Sequence, residues 1–186
     1  WVEAMCRPIL AGETEVVQGG IRLAPHLERP WLKGVLRHWV AALENPDWPP
    51  EGLIGANVAI SRRAFAVAGP YDVRLGPGAA GFFEDTALGW ALERAGFSKQ
   101  FHPEIAVEHH FRADRLTAKS FMAAARRMAV SRVVVDRDRD PQALRPSLAS
   151  LLKELPGLVF RSTTQLAHLA TDRQPDHGFM SHYYRV

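Results

Sequence analysis

Glycine and proline cut the middle of this chain into short pieces of alternating kind, and that punctuation restricts the fold more than any other feature. Pro46, Pro49 and Pro50 end whatever precedes them, because proline lacks a donor N–H and fixes φ. Leu53 to Ile60 then reads as a strand, with the small Gly55 and Ala56 leaving room near its start. Ser61 is placed to cap a helix over Arg62 to Ala68 by accepting a backbone N–H, and Gly69 to end it in a left-handed conformation. The small-residue loop from Leu75 to Gly81 follows, then a helix from about Asp85 to Ala95 stopped by Gly96, then a strand over Phe101 to His109. Strands alternating with helices define an α/β core.

The flanks extend this pattern and then leave it. Trp1 to Leu10 reads as the end of a helix interrupted near Pro8, with Gly12 as its stop. Glu15 to Ala24 reads as a strand, and Gly19-Gly20 inside it implies a bulge or a close backbone approach. After Pro30, Leu32, Val35, Leu36, Trp39, Val40 and Leu43 follow helical spacing, with Lys33, Arg37 and His38 on the wetter side. From Leu116 only helices are expected: Thr117 to Val134, then a solvated DRDRD linker, Gln142 to Leu155, and Leu158 to Ala170. The organisation expected is an α/β part over 1–115, a helical extension over 116–173 and a loosely held tail over 174–186.

Composition excludes several classes. With 186 residues, 47% of them hydrophobic, the chain suffices for one domain with a real core. A net charge of +3 is too small for a dedicated nucleic-acid binder. The single Cys6 excludes an internal disulfide and a CxxC metal knuckle, which fits a reducing, cytoplasmic setting. No apolar run reaches the roughly 20 residues that cross a bilayer, and Trp1-Val2-Glu3 is no signal peptide. Trp1 in place of an initiator Met leads us to expect a fragment.

The residues with most chemical content are Glu84 and Asp85, adjacent carboxylates where a turn meets a helix. A helix N-terminus favours an ionised carboxylate, so Asp85 there is ready to act as a general base, with Glu84 orienting it or binding a substrate hydroxyl. The competing reading is that the pair only caps the helix, since acidic first turns are common.

Context separates the two readings. The stretch GANVAISRRAFAVAGPYDVRLGPG, the run GFFEDTAL and the strand FHPEIAVEHHF together resemble the acceptor-side half of a family-two glycosyltransferase of the GT-A fold, over about Leu53 to Phe111. The resemblance implies a partial GT-A, Rossmann-like mixed sheet with flanking helices, followed by a C-terminal helical extension. It implies inverting transfer of a sugar from a nucleotide-sugar donor to the hydroxyl of a saccharide or lipid-linked acceptor. Asp85 would be the base and Glu84 its helper. Gly55, Ala56 and Asn57 would lie beside donor sugar or acceptor, and Gly76 and Gly78, with Gly81, would form a loop closing over substrate. His109 would help an acidic DXD motif hold Mn²⁺ or Mg²⁺; imidazole suits manganese better. Each has a plainer alternative: an amide satisfying a turn for Asn57, turn glycines, a core-bonded or phosphate-touching imidazole for His109. His110 should face the opposite side from His109, because strand side chains alternate.

This chain departs from the family pattern at two kinds of position. Ala87 and Ala91 stand where the family commonly carries an acid and an arginine, which leaves Arg94 as a candidate anchor. The nucleotide-binding half with its DXD motif, and with it the metal, would precede Trp1, and the Asp136-Arg137-Asp138 match falls after the core. Two rival readings follow, a non-catalytic docking module that keeps the acceptor-side scaffold and a metal-dependent hydrolase using Asp85 and His109. The C-terminal stripe of Leu148, Leu151, Leu152, Leu155, Leu158 and Val159 would either pack on the core or lie on the inner face of the membrane. His168, His177 and His182 are expected to be solvated. The enzymatic reading requires Asp85 and His109 to converge on one cleft.

Overall fold

The computed structural model describes residues 1–139 apart from Trp48. They form a mixed α/β unit: helix α1 (Val2–Leu10), strand β1 (Val16–Leu23), helix α2 (Val35–Trp39), strand β2 (Val58–Ile60), helices α3 (Arg62–Ala68) and α4 (Glu84–Arg94), strand β3 (Lys99–His109) and helix α5 (Ala118–Arg139). The helices expected over 142–155 and 158–170, the tail from Gln174, the stripe from Leu148 to Val159 and the three late histidines lie outside the described residues.

β1 is the centre of a three-stranded sheet ordered β2-β1-β3, antiparallel to β2 and parallel to β3. A central strand covered on both faces needs a nearly continuous apolar run, and Val16, Val17 and Ile21 are all buried. The expected irregularity at Gly19-Gly20 is present: Gly19 pairs with His102 but Gly20 pairs with Ala106, so Pro103, Glu104 and Ile105 bulge out of β3. A Cβ on Gly19 would drive into the Asn57 amide and the Ile105 carbonyl, and one on Gly20 into the Pro103 carbonyl. The glycines are there for close approach.

Several expected elements change extent. α1 is not interrupted at Pro8; it runs through it, because Pro8 and Met5 are buried together and the turn closes downstream with Ala11 N–H donating to Arg7 O. The helix expected over Leu32 to Leu43 shrinks to α2. Gly34 enters it at φ 53, Ala41 turns the chain at φ 61, and Leu43 bridges antiparallel to Ile21. Leu32, Leu36, Val40 and Leu43 are buried as their spacing implied, but by turns as much as by helix. The strand expected from Leu53 is regular only over β2, because Gly55–Asn57 winds into a 3-10 turn. Ser61 caps α3, accepting Ala64 N–H at 3.1 Å. Gly69 ends that helix at φ 87, ψ 179, a positive-φ extended conformation rather than a left-handed helical one.

α5 is longer than expected and consumes most of the DRDRD run. Opposite charges there are paired, not merely solvated: Arg132 holds Asp136 one turn on, and Asp138 receives Arg74 from the loop before α4. Leu116, Phe121 and Met122 pack with Leu23, Leu27, Leu36 and Val40, while Val135 packs with Leu75 and Trp90. A further cluster of Val16, Leu53, Ala64, Leu88 and Leu92 lies under α3 and α4. Among the described residues no helix is long and apolar enough to cross a membrane.

Candidate functional site

The turn into α4 is built by an uncommon N-cap. Phe83 adopts φ 74, ψ 7, a left-handed conformation rare for a bulky side chain, and its ring stacks on Trp90 with centroids 6.5 Å apart. α5 holds the residue before it: Ser131 Oγ accepts Phe82 N–H at 3.1 Å and donates to Arg127 O at 3.0 Å, and Arg127 lies over the Phe82 ring. Glu84 and Asp85 therefore leave a turn fixed from two sides.

Asp85 is half-buried. Its Oδ2 accepts the backbone N–H of Gly55 at 2.7 Å and its Oδ1 that of Thr86 at 2.7 Å. Thr86 Oγ1 reaches Leu53 O at 3.4 Å, so α4 and the segment 53–55 are joined at successive residues. A second clamp acts from below, where Lys99 Nζ donates to Pro50 O at 2.7 Å and to Gly52 O; burial lowers the pKa of this ammonium. Glu84 lies against Gly76, whose missing side chain makes the room for the carboxylate. Burial, followed by the neighbouring Asp85 charge, raises the Glu84 pKa against the opposing pull of its own backbone N–H. Tyr71 completes the group. It is 41% exposed, and burial together with the Asp85 and Glu84 charges raises its phenol pKa, so it stays a neutral donor. The Tyr71-Asp72 turn was visible in the sequence, but the reach of its phenol to the acid pair was not.

The other expected site residues divide. Gly55 and Ala56 are exposed in the 3-10 turn beside Asp85. Gly78, at φ 90, has open space around it, whereas Gly76 is buried under Glu84. Asn57, expected beside a sugar, is 1% exposed and spends its side chain internally. Nδ2 donates to Gly20 O and Ile105 O at 2.7 Å each, and Oδ1 accepts Trp1 Nε1–H at 3.0 Å. Buried Gln18 seconds it, donating to Asn57 O at 2.9 Å and accepting Ile54 N–H at 2.8 Å. Two amides thus replace the ladder bonds lost at the bulge, which is why they are buried. No sequence pattern marks that closure, since it depends on three separate segments meeting.

His109 is held by other segments. Its Nδ1 donates to Val40 O at 3.0 Å, its ring packs edge-on against Phe111 at 5.1 Å, and burial lowers its pKa despite the Val40 bond. His110 is exposed, pairs with Glu108 at 2.6 Å and lies 5.7 Å from the His26 ring. No hydrogen bond or ion pair among the described residues joins His109 to Asp85. Nor do three His, Cys, Asp or Glu side chains gather to hold a metal among them. The imidazole leaves Nε2 available, but a single nitrogen is not a metal site, so the donor set described here does not fit one. Compared with protein-family models, curated proteins and solved structures, the chain matches none.

Proposed function

We propose that this chain is the acceptor-side portion of an inverting glycosyltransferase of the GT-A class. The observation that carries the reading is the Asp85 carboxylate, half-buried at the start of α4 and aimed by Gly55 N–H, with Glu84 and Tyr71 beside it. The mixed sheet with helices packed on it is consistent with a partial GT-A sheet.

Asp85 does the proton work. Oδ1 accepts the Thr86 N–H and, at 3.4 Å, the Thr86 hydroxyl, whereas Oδ2 accepts only the Gly55 N–H and retains a lone-pair direction for an incoming hydroxyl. The acceptor O–H gives its proton to Asp85 as its oxygen bonds to the sugar C1, and the C1–O bond to the nucleotide diphosphate breaks, its electron pair leaving with the diphosphate. Attack from the face opposite the leaving group inverts the anomeric centre. Glu84, with its raised pKa, and neutral Tyr71 would hydrogen-bond acceptor hydroxyls. No step passes through a metal. Incubating the native polypeptide that carries this chain with a panel of nucleotide-sugars and saccharide or lipid-linked acceptors, with NMR of the product anomeric proton, tests the reading. Transfer with inversion supports it; retention, or no transfer across the panel, contradicts it.

A non-catalytic docking module is the second reading, favoured by one set of observations. Asn57 is closed, His109 is bound to Val40, and Asp85 itself doubles as a structural clamp. Saccharide binding without turnover of any nucleotide-sugar would select it.

A further inference from the structure

A groove of about 420 Å³ runs along the face of α4 turned towards α5, and the acid pair does not line it. Its volume falls within the range of small-molecule sites. Residues at positions 87, 91 and 94 share a helix face by their spacing. Two of them are alanines, so the face is recessed, and the floor is completed by Ala68, Leu75, Leu88 and Val135.

The charges at its rim are unequal in their engagement. Asp72 and Asp138 are both tied up by Arg74, whose guanidinium bridges them. Arg94 lines the same groove, is exposed, and has no hydrogen bond, ion pair or ring partner among the described residues. Two carboxylates share the one Arg74 guanidinium, so with Arg94 the rim carries two charges of each sign, and Arg94 is the one of the four that makes no pair among the described residues. The opening for a negative group is local, at the unpaired Arg94 guanidinium beside the apolar floor, and not a property of the rim's net charge.

We propose that this groove binds a small organic anion, its apolar body resting on Ala87, Ala91 and Leu75 and its anionic group paired with Arg94. The site is separate from Asp85 and stands whether or not sugar transfer does. A fused-ring sulfonate, 8-anilinonaphthalene-1-sulfonate, has this chemistry, and N-phenyl-1-naphthylamine is the same body without the charge.

Both probes are titrated by fluorescence against the full chain. Saturable one-to-one binding is expected, tighter for the sulfonate. Arg94→Gln should weaken the sulfonate by roughly threefold to tenfold, the worth of one charge-assisted bond at an exposed site, and leave the neutral probe unchanged. Ala91→Phe should fill the groove and abolish binding of both. Circular dichroism reports whether each variant folds, and Ala87→Leu replaces Ala91→Phe if that variant does not. The proposal is overturned if the full chain shows no saturable binding, whatever fills the groove. It is equally overturned if the two probes bind alike, if Arg94→Gln leaves the sulfonate unaffected, or if the folded filling variant binds as wild type does.

Discussion

Asp85 Oδ2 accepts the backbone N–H of Gly55 at 2.7 Å, joining the first turn of α4 to a 3-10 turn 30 residues earlier in the chain. The bond gives the carboxylate one orientation and gives the exposed Gly55-Ala56 turn an anchor. These two consequences can be separated by substitution. Asparagine keeps an acceptor oxygen for Gly55 but sets its NH2 where Oδ1 accepted the Thr86 N–H, so Asp85→Asn should cost about 1 kcal/mol in urea unfolding, while Asp85→Ala, which removes both acceptors, should cost about 1–3 kcal/mol. Gly55→Ala should be near neutral, because its Cβ would meet Asp85 at 3.5 Å, an ordinary contact.

The Asn57 amide satisfies three partners in a buried place. Asn57→Ala leaves the Gly20 and Ile105 carbonyls and the Trp1 indole without it, and a loss of roughly 3 kcal/mol or more is expected, since each orphaned buried group costs about 1–3. Asn57→Asp should be worse, because a carboxylate would face two carbonyl oxygens where the amide faced them with donors. Chemical denaturation checks both, and equal stabilities for the two variants would contradict this account of the bulge.

Ser131 is fully buried on α5, yet it serves the turn before Glu84. Ser131→Ala should cost about 1–3 kcal/mol and speed hydrogen exchange at the Phe82 amide, the donor it strands. Ser131→Thr keeps the hydroxyl and should restore most of the protection. Unchanged exchange at Phe82 in the alanine variant would mean that α5 does not brace this turn.

Much of this fold was legible because local chemistry decided it. Ser61 before α3, Gly96 after α4 and the Gly19-Gly20 break in β1 are each set by one residue and its immediate neighbours. What could not be read was decided at a distance. Leu43 looks helical by spacing, but pairing with Ile21 captures it. The DRDRD run looks like a linker until Arg74 arrives from 64 residues away to bind Asp138. The same division holds at the site: the acid pair stands out in sequence, whereas the closure of Asn57 and the bond of His109 to Val40 come from packing of segments far apart in the chain.

Burial holds the pKa values of His38 and His109 below the ordinary value of 6.5. A histidine whose folded pKa is depressed binds protons more readily when unfolded, so its contribution to stability is complete above about pH 6.5 and is lost as pH falls through that value towards the folded pKa. The two histidines should therefore make stability decline between about pH 7 and 5, offset in part by Glu84, whose raised pKa acts in the opposite sense, and before the depressed carboxylates Glu28 and Asp72 begin to titrate below about 4.5. Thermal midpoints across this range check the slope, and His109→Gln should flatten part of it. A midpoint that rises on acidification from pH 7 to 5 would contradict the assignment.

The most direct test of the central claim is the turnover number of Asp85→Asn for sugar transfer in the native polypeptide, measured at saturating donor and acceptor. Asparagine retains an acceptor for Gly55 though not for Thr86, and circular dichroism of the variant checks the fold, so that the rate reports the proton acceptor. A fall in kcat of about 10²–10⁴ with KM little changed is the predicted result. Turnover comparable to wild type would remove Asp85 from the chemistry and leave the carboxylate as a clamp.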